Sequence, residues 1–246
     1  MQPWVTGPVE LLEHGLMLLR LDNDSNRRLA MIAIDNAVEL GIKTYLSLPK
    51  RVTGIAMSRK DFSEISESFP RLVEALEVHC IGKLDGIDLS EVEWYHRLRN
   101  QLYHQGNGLT VERNKVSAYS ELARVLFMNL FAVKVELQRS GGQELLGAFL
   151  EAWISLEKTI AHLARQYRND LTVTGGRMPA PRVVFEGLAA LGVVSEKTAR
   201  RIDYFRALRN RLVHGEINPA STLNEESIDE VRLLRDEIDS LAEKRL

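Results

Sequence analysis

The chain has almost no cysteine. Cys80 is the single thiol in 246 residues, so an intramolecular disulfide is excluded. It sits in the apolar stretch LVEALEVHCIG beside His79, which reads as a buried structural thiol rather than a reactive one. Long hydrophobic runs are missing too. Patches such as VLFMNLFAV fall far short of the roughly 20 residues that cross a bilayer. The opening MQPWVTGPVELLEHG lacks a basic region followed by an apolar core, so no signal peptide is expected. With a thiol content that fits a reducing compartment, these absences predict a cytoplasmic protein with no membrane partner.

Charge of one sign is also lacking. Lys and Arg number 32 against 34 Asp and Glu, a formal net charge of -2, so any polyanion must be met by a local patch. His-Glu-x-x-His, Cys-x-x-Cys, P-loop and Gly-x-Ser-x-Gly patterns are absent. His14, His79, His96 and His162 are scattered without ligand spacing and read as ordinary helix or surface histidines. No metal and no cofactor is expected. Strand patterning is confined to Leu171–Gly176, too short to build a sheet alone.

What is present is helical periodicity. Arg27–Leu48 carries Ile34, Val38, Ile42, Tyr45 and Leu46 on one face, and Pro49 ends it. SFPRLVEALEVHCIG predicts a shorter helix closed by Gly82. Ser90 and Glu93 form a capping box ahead of a helix running to Gly106 or Gly108. A long amphipathic helix follows from Asn114 to Leu137. RSGGQ then interrupts the pattern, and a similar series begins. Its members are a long helix from Gln143 to Tyr167, a Gly/Pro-marked loop, a short helix closed by Gly192, a helix from a Ser195 cap to Gly215, and a closing helix. That last helix places Ile228, Val231, Leu234, Ile238 and Leu241 on one face. The fold class is all-α, as two up-and-down bundles over residues 1–139 and 140–246.

The matching helices share a motif. LRNQLYH (Leu98–His104) and LRNRLVH (Leu208–His214) agree at five of seven positions, 110 residues apart. At about 100° per residue, Asn100 and His104 share one helix face, Leu98 and Leu102 lie roughly opposite, and Arg99 sits on a flank. Asn210, His214, Leu208, Leu212 and Arg209 repeat this. Gly215 places His214 at a helix C-terminus, where the macrodipole favours a protonated imidazole by about 0.3–1 kcal/mol. The second motif helix is locally basic, with Lys197, Arg200, Arg201, Arg206, Arg209 and Arg211 against Glu196 and Asp203.

One reading makes these residues the solvated side of two amphipathic helices. Another makes them chemistry. A guanidinium can bind a nonbridging phosphate oxygen and steady a pentacovalent transition state, while an imidazole moves a proton at the 2′-hydroxyl or the leaving 5′-oxygen. Two motifs facing each other would supply a base and an acid.

These motifs resemble the R-x(4–6)-H signature of HEPN domains, with Asn100 and Asn210 matching the polar residue that usually follows the Arg. The first long helix of each half is similar to that family's opening helix. The resemblance covers essentially the whole chain as two HEPN-like units. It implies four- to five-helix bundles and a metal-independent endoribonuclease in a toxin–antitoxin or antiviral defence setting. The motifs would pair across a homodimer or an intramolecular pseudo-dimer. Arg99, Asn100, His104, Arg209, Asn210 and His214 would then be catalytic. Arg97, Arg201, Arg206 and Arg211 would contact single-stranded RNA, and an antitoxin or defence-complex protein is an expected partner. Other members of the family are non-catalytic binding or assembly modules, which is the alternative expectation. The Tyr that one toxin group carries two residues after the His is Gly106 and Glu216 here, so control through that Tyr is not expected.

Three further features stay open. Asp35 and Glu39, four apart, read as a solvated pair or as partners for an Arg rather than as an acid–base pair. Trp94, Tyr95 and Tyr103 read as core or as stacking surfaces for an unpaired base. Arg177 and Arg182, in the Gly/Pro-marked loop, read as surface residues or phosphate contacts.

Overall fold

A computed structural model describes residues 2–104, 110–135, 142–167 and 181–243. The candidate strand Leu171–Gly176, the loop arginine Arg177 and the side chains of His104 and Arg182 lie outside the described residues. Among those described, every regular element is helical, so the chain is all-α. It divides into two compact units, Met1–Gln138 and Arg139–Leu246. No described helix is long and apolar enough to cross a membrane.

In the first unit the helices are α1 (Thr6–Leu21), α2 (Asp24–Ser47), the single turn α3 (Lys50–Thr53), α4 (Arg59–Ser66), α5 (Phe69–His79), α6 (Leu89–His104) and α7 (Arg113–Phe131). The central helix is α2, which packs against α1, α5, α6 and α7. Its expected face is buried throughout: Ile34, Val38, Ile42, Tyr45 and Leu46. Asn23 caps it by accepting the Asn26 N–H at 2.9 Å. Leu48, ahead of Pro49, turns to extended backbone and ends it. Helix α1 is not among the helices that the sequence predicts. Its hairpin with α2 turns through Asp22, a left-handed residue at φ 44°, and closes tightly because Gly15 presents no side chain to Ile34 and Ala30.

Three predicted helix ends move. The side chain before α6 that accepts from its first turn is Asp88, not Ser90: its Oδ1 accepts the Ser90 N–H at 2.9 Å and the Ser90 hydroxyl at 2.6 Å. A carboxylate outcompetes a hydroxyl at the positive end of a helix. Helix α5 stops at His79, with Cys80 as its cap, and Gly82 falls in a separate 3-10 turn (Ile81–Lys83). Helix α7 stops at Phe131, where Ala132 adopts φ 56° and returns its N–H to Met128 O at 2.9 Å. Cys80 is buried, as expected, and burial pushes its thiol up to about 11.

The second unit holds α8 (Gly142–Gln166), α9 (Pro181–Ala190), α10 (Glu196–Val213), the single turn α11 (Pro219–Thr222) and α12 (Glu225–Glu243). Its spine is the pairing of α8 with α12. Leu146, Phe149, Trp153, Leu156 and Leu163 of α8 are buried, as are Ile228, Val231, Leu234 and Ile238 of α12. Leu241, expected on that face, is half-buried, and Ala242 is buried beside it. Gly192 at φ 70° follows α9, and Gly215 at φ 68° follows α10. After α10 the Gly215 N–H reaches Leu212 O and the Glu216 N–H reaches Arg211 O, a Schellman closure. Ser195 caps α10 through Thr198 N, as its position predicts.

Candidate functional site

The motif helices are built alike, but not quite as ideal geometry suggests. On α6 the inward line is Val92, Tyr95, Arg99 and Leu102, of which Arg99 is half-buried and the rest buried; Leu98 is also only half-buried. On α10 the inward line is Ile202, Phe205, Arg209 and Leu212. Both lines step by three, four and three residues, the spacing of one helix face. Both arginines therefore point into their own unit instead of standing on a flank. Arg209 is 4% exposed, and the Arg99 side chain 17%.

The likeness extends upstream of the motif. Trp94 meets Tyr95 edge-on at 4.8 Å and 81°, and Tyr204 meets Phe205 at 5.1 Å and 77°. Each Arg reaches its following Asn: Arg99 Nη1 donates to Asn100 Oδ1 at 2.8 Å, and Arg209 Nη1 to Asn210 Oδ1 at 3.5 Å. An inward apolar line and an aromatic pair, repeated at the same spacing, were the stronger signal in the sequence. The five matched motif letters alone did not contain it.

In the first unit the Arg enters a polar cluster set in the core. Asp35 of α2 is fully buried. Its Oδ1 accepts the Tyr119 hydroxyl at 2.7 Å. Its Oδ2 lies 2.9 Å from His96 Nδ1 and 2.9 Å from Arg99 Nε. A carboxylate only accepts, so His96 carries a proton on Nδ1. The Arg99 Nε contact lacks hydrogen-bond alignment and acts as an ion pair. Arg99 Nη2 donates to Asn36 Oδ1 at 2.6 Å and lies 3.5 Å from Glu39 Oε2. Phe69 of α5 stacks on His96 with ring centres 3.8 Å apart. Tyr119 stacks on Tyr95, and its phenol is raised well above the usual range by burial first and by the Asp35 carboxylate second.

Asp35 and Glu39 are thus partners of an Arg, one of the two roles their spacing allows. With His96 they bring ligand-type atoms within 4.8 Å of one another, a span a cation can bridge. The cation that lies between the two carboxylates is the Arg99 guanidinium.

The remaining motif atoms are nearer water. Asn100 is half-buried, Asn210 exposed and His214 half-buried. His214 is the C-cap of α10, its N–H on Asn210 O at 2.9 Å, so the sequence placed it correctly. Tyr95 is core, Trp94 half-buried and Tyr103 exposed. The expected RNA-contacting arginines already face carboxylates. Arg97 lies 3.7 Å from Glu93 and Arg211 3.9 Å from Glu216. Arg206 pairs with Asp203. Arg201 bridges to Glu230 and Glu237 of α12, at 3.1 and 3.2 Å. Arg200 pairs with Glu196 at 2.5 Å. The basic excess of α10 is largely compensated locally and by α12.

Comparison of the chain with family models, with curated proteins and with solved structures returns no match.

Proposed function

We propose that the chain is a metal-independent endoribonuclease of HEPN type, with Asn100, His104, Asn210 and His214 as the groups that meet RNA. The observation that carries this is the repeated construction of α6 and α10, in which an inward-facing Arg, half-buried at 99 and buried at 209, meets the carbonyl of the next residue's amide, closely in the first copy and at 3.5 Å in the second. An arginine only donates, so the Asn oxygen must face it and the amide N–H groups are left to point away. Such donors suit a nonbridging phosphate oxygen. The histidine one turn on is spaced to move a proton at the 2′-hydroxyl or the 5′-oxygen. Arg99 and Arg209 act in this reading as inward supports, not as direct phosphate ligands. A toxin or defence role, with a partner that restrains cleavage, is part of the same proposal.

The test is incubation of purified protein with single-stranded RNA in EDTA. Cleavage by the wild-type chain that the His104→Ala/His214→Ala double variant lacks is the expected result. Equal cleavage by both, or none by either, overturns the reading.

The local pairing of Arg97, Arg201, Arg206 and Arg211 favours a second reading, a non-catalytic module that binds nucleotide or RNA or assembles a larger complex. It predicts binding whose salt dependence is shallow, since few cations are available to displace counterions, and no turnover.

A further inference from the structure

We propose that Asp35 is a positioning residue for Asn100, acting through Arg99, so that the outer tip of the first motif is set by a carboxylate in the core of its unit. Asp35 lies on α2, 64 positions before Arg99, and belongs to no motif. Arg99 spans the distance between core and tip. At its inner end Nε faces Asp35 at 2.9 Å, and at its outer end Nη1 donates to Asn100 at 2.8 Å. Glu39 is a weaker anchor, 3.5 Å away and shared with Lys43 at 2.6 Å. Asn36 takes the other terminal nitrogen at 2.6 Å and fixes the plane of the guanidinium. With plane and depth fixed, Asn100 has one favourable amide orientation. Turning it by 180° sets N–H against N–H and forfeits a charge-assisted bond. The functional consequence rests on the ribonuclease reading, because only there do the outward amide protons meet a phosphate. The positioning itself does not.

The experiment is the order of the Asn100 side-chain amide, read by ¹⁵N NMR relaxation and assigned by its disappearance in Asn100→Asp. Arg99 grips the amide oxygen, so losing that grip frees rotation of the side chain and lowers its order parameter to below about 0.6, the flexible range. Asp35→Asn keeps the size and the acceptor for Tyr119 while removing the charge that holds Arg99. Arg99→Lys keeps the charge but cannot reach Asp35, Asn36 and Asn100 together. Both are expected to lower the order parameter, and Asp35→Asn is expected to add nothing on the Arg99→Lys background. Tyr119→Phe, which touches the other oxygen of the same carboxylate, is expected to leave it unchanged.

A wild-type order parameter in Asp35→Asn overturns the proposal, and so does a drop in Tyr119→Phe equal to that in Asp35→Asn, since that marks general loosening. Should Asp35→Asn fail to fold, an unchanged order parameter in Arg99→Lys overturns it alone. In the RNA assay Asp35→Asn is expected to lower kcat roughly tenfold with KM within about twofold, the same lost bond read as rate. A wild-type chain that never cleaves RNA sinks the ribonuclease reading and leaves the NMR result standing.

Discussion

At the scale of single residues, Asp35 decides most. Its burial is tolerable only because His96, Arg99 and Tyr119 meet it. Asp35→Ala leaves the Arg99 guanidinium without its nearest counter-charge, and such half-broken buried pairs cost about 3–5 kcal/mol. Tyr119→Phe removes one bond to a charged acceptor, worth about 1.5–3 kcal/mol. Urea titration is expected to rank them in that order. Cys80 supplies a pH signature. The unfolded thiol ionises near pH 8.5, whereas the folded one holds its proton to about 11. Between those values the folded state binds more protons, so stability contributed by Cys80 is full below pH 8.5 and falls as pH rises. Cys80→Ser is expected to flatten the slope of denaturation midpoint against pH from 8.5 to 10.5. The sequence allowed Asp35 an Arg partner but not the identity of that Arg. Arg99 looked like a flank residue because ideal helix angles treat an Arg as polar and ignore a buried carboxylate on the next helix.

Among elements, most helices were legible and several of their ends were not. Apolar steps of three and four named the buried faces of α2 and α12, because burial acts on every turn of a long helix. Ends depend on one or two competing residues. Asp88 took the role expected of Ser90, and Ala132 stopped α7 without any Gly or Pro to announce it. Helix α1 escaped because its best evidence is a contact, Gly15 against α2, that only the packed pair reveals. A Cβ at Gly15 would lie 2.8 Å from Ile34 Cγ1 and 3.3 Å from Ala30 O. Gly15→Ala is therefore expected to cost about 1–3 kcal/mol through overpacking. Gly7, on the same helix, has nothing within 4 Å of such a Cβ. Gly7→Ala is expected to stabilise by about 0.4–1 kcal/mol. Thermal melts of the two variants should shift in opposite directions.

For the whole molecule, the question is whether two similarly built helices make one site or two. The sequence supplied the repeated motif, since both units carry the Arg-Asn-x-x-x-His order at a 110-residue interval. It could not supply the pairing, because the polar face of a helix does not encode its partner. Kinetics in the intact chain can. If acid and base come from different motifs, His104→Ala and His214→Ala each drop RNA cleavage to the level of the double variant, since one histidine alone completes neither proton transfer. Two independent sites would instead leave each single variant with part of the wild-type rate. Mixing the two single variants then locates the pairing. A site made within one chain stays inactive in the mixture, because no chain carries both histidines. A site made between two chains recovers. With random exchange half the dimers are mixed, and each mixed dimer holds one intact site of two, so recovery should approach a quarter of the wild-type rate.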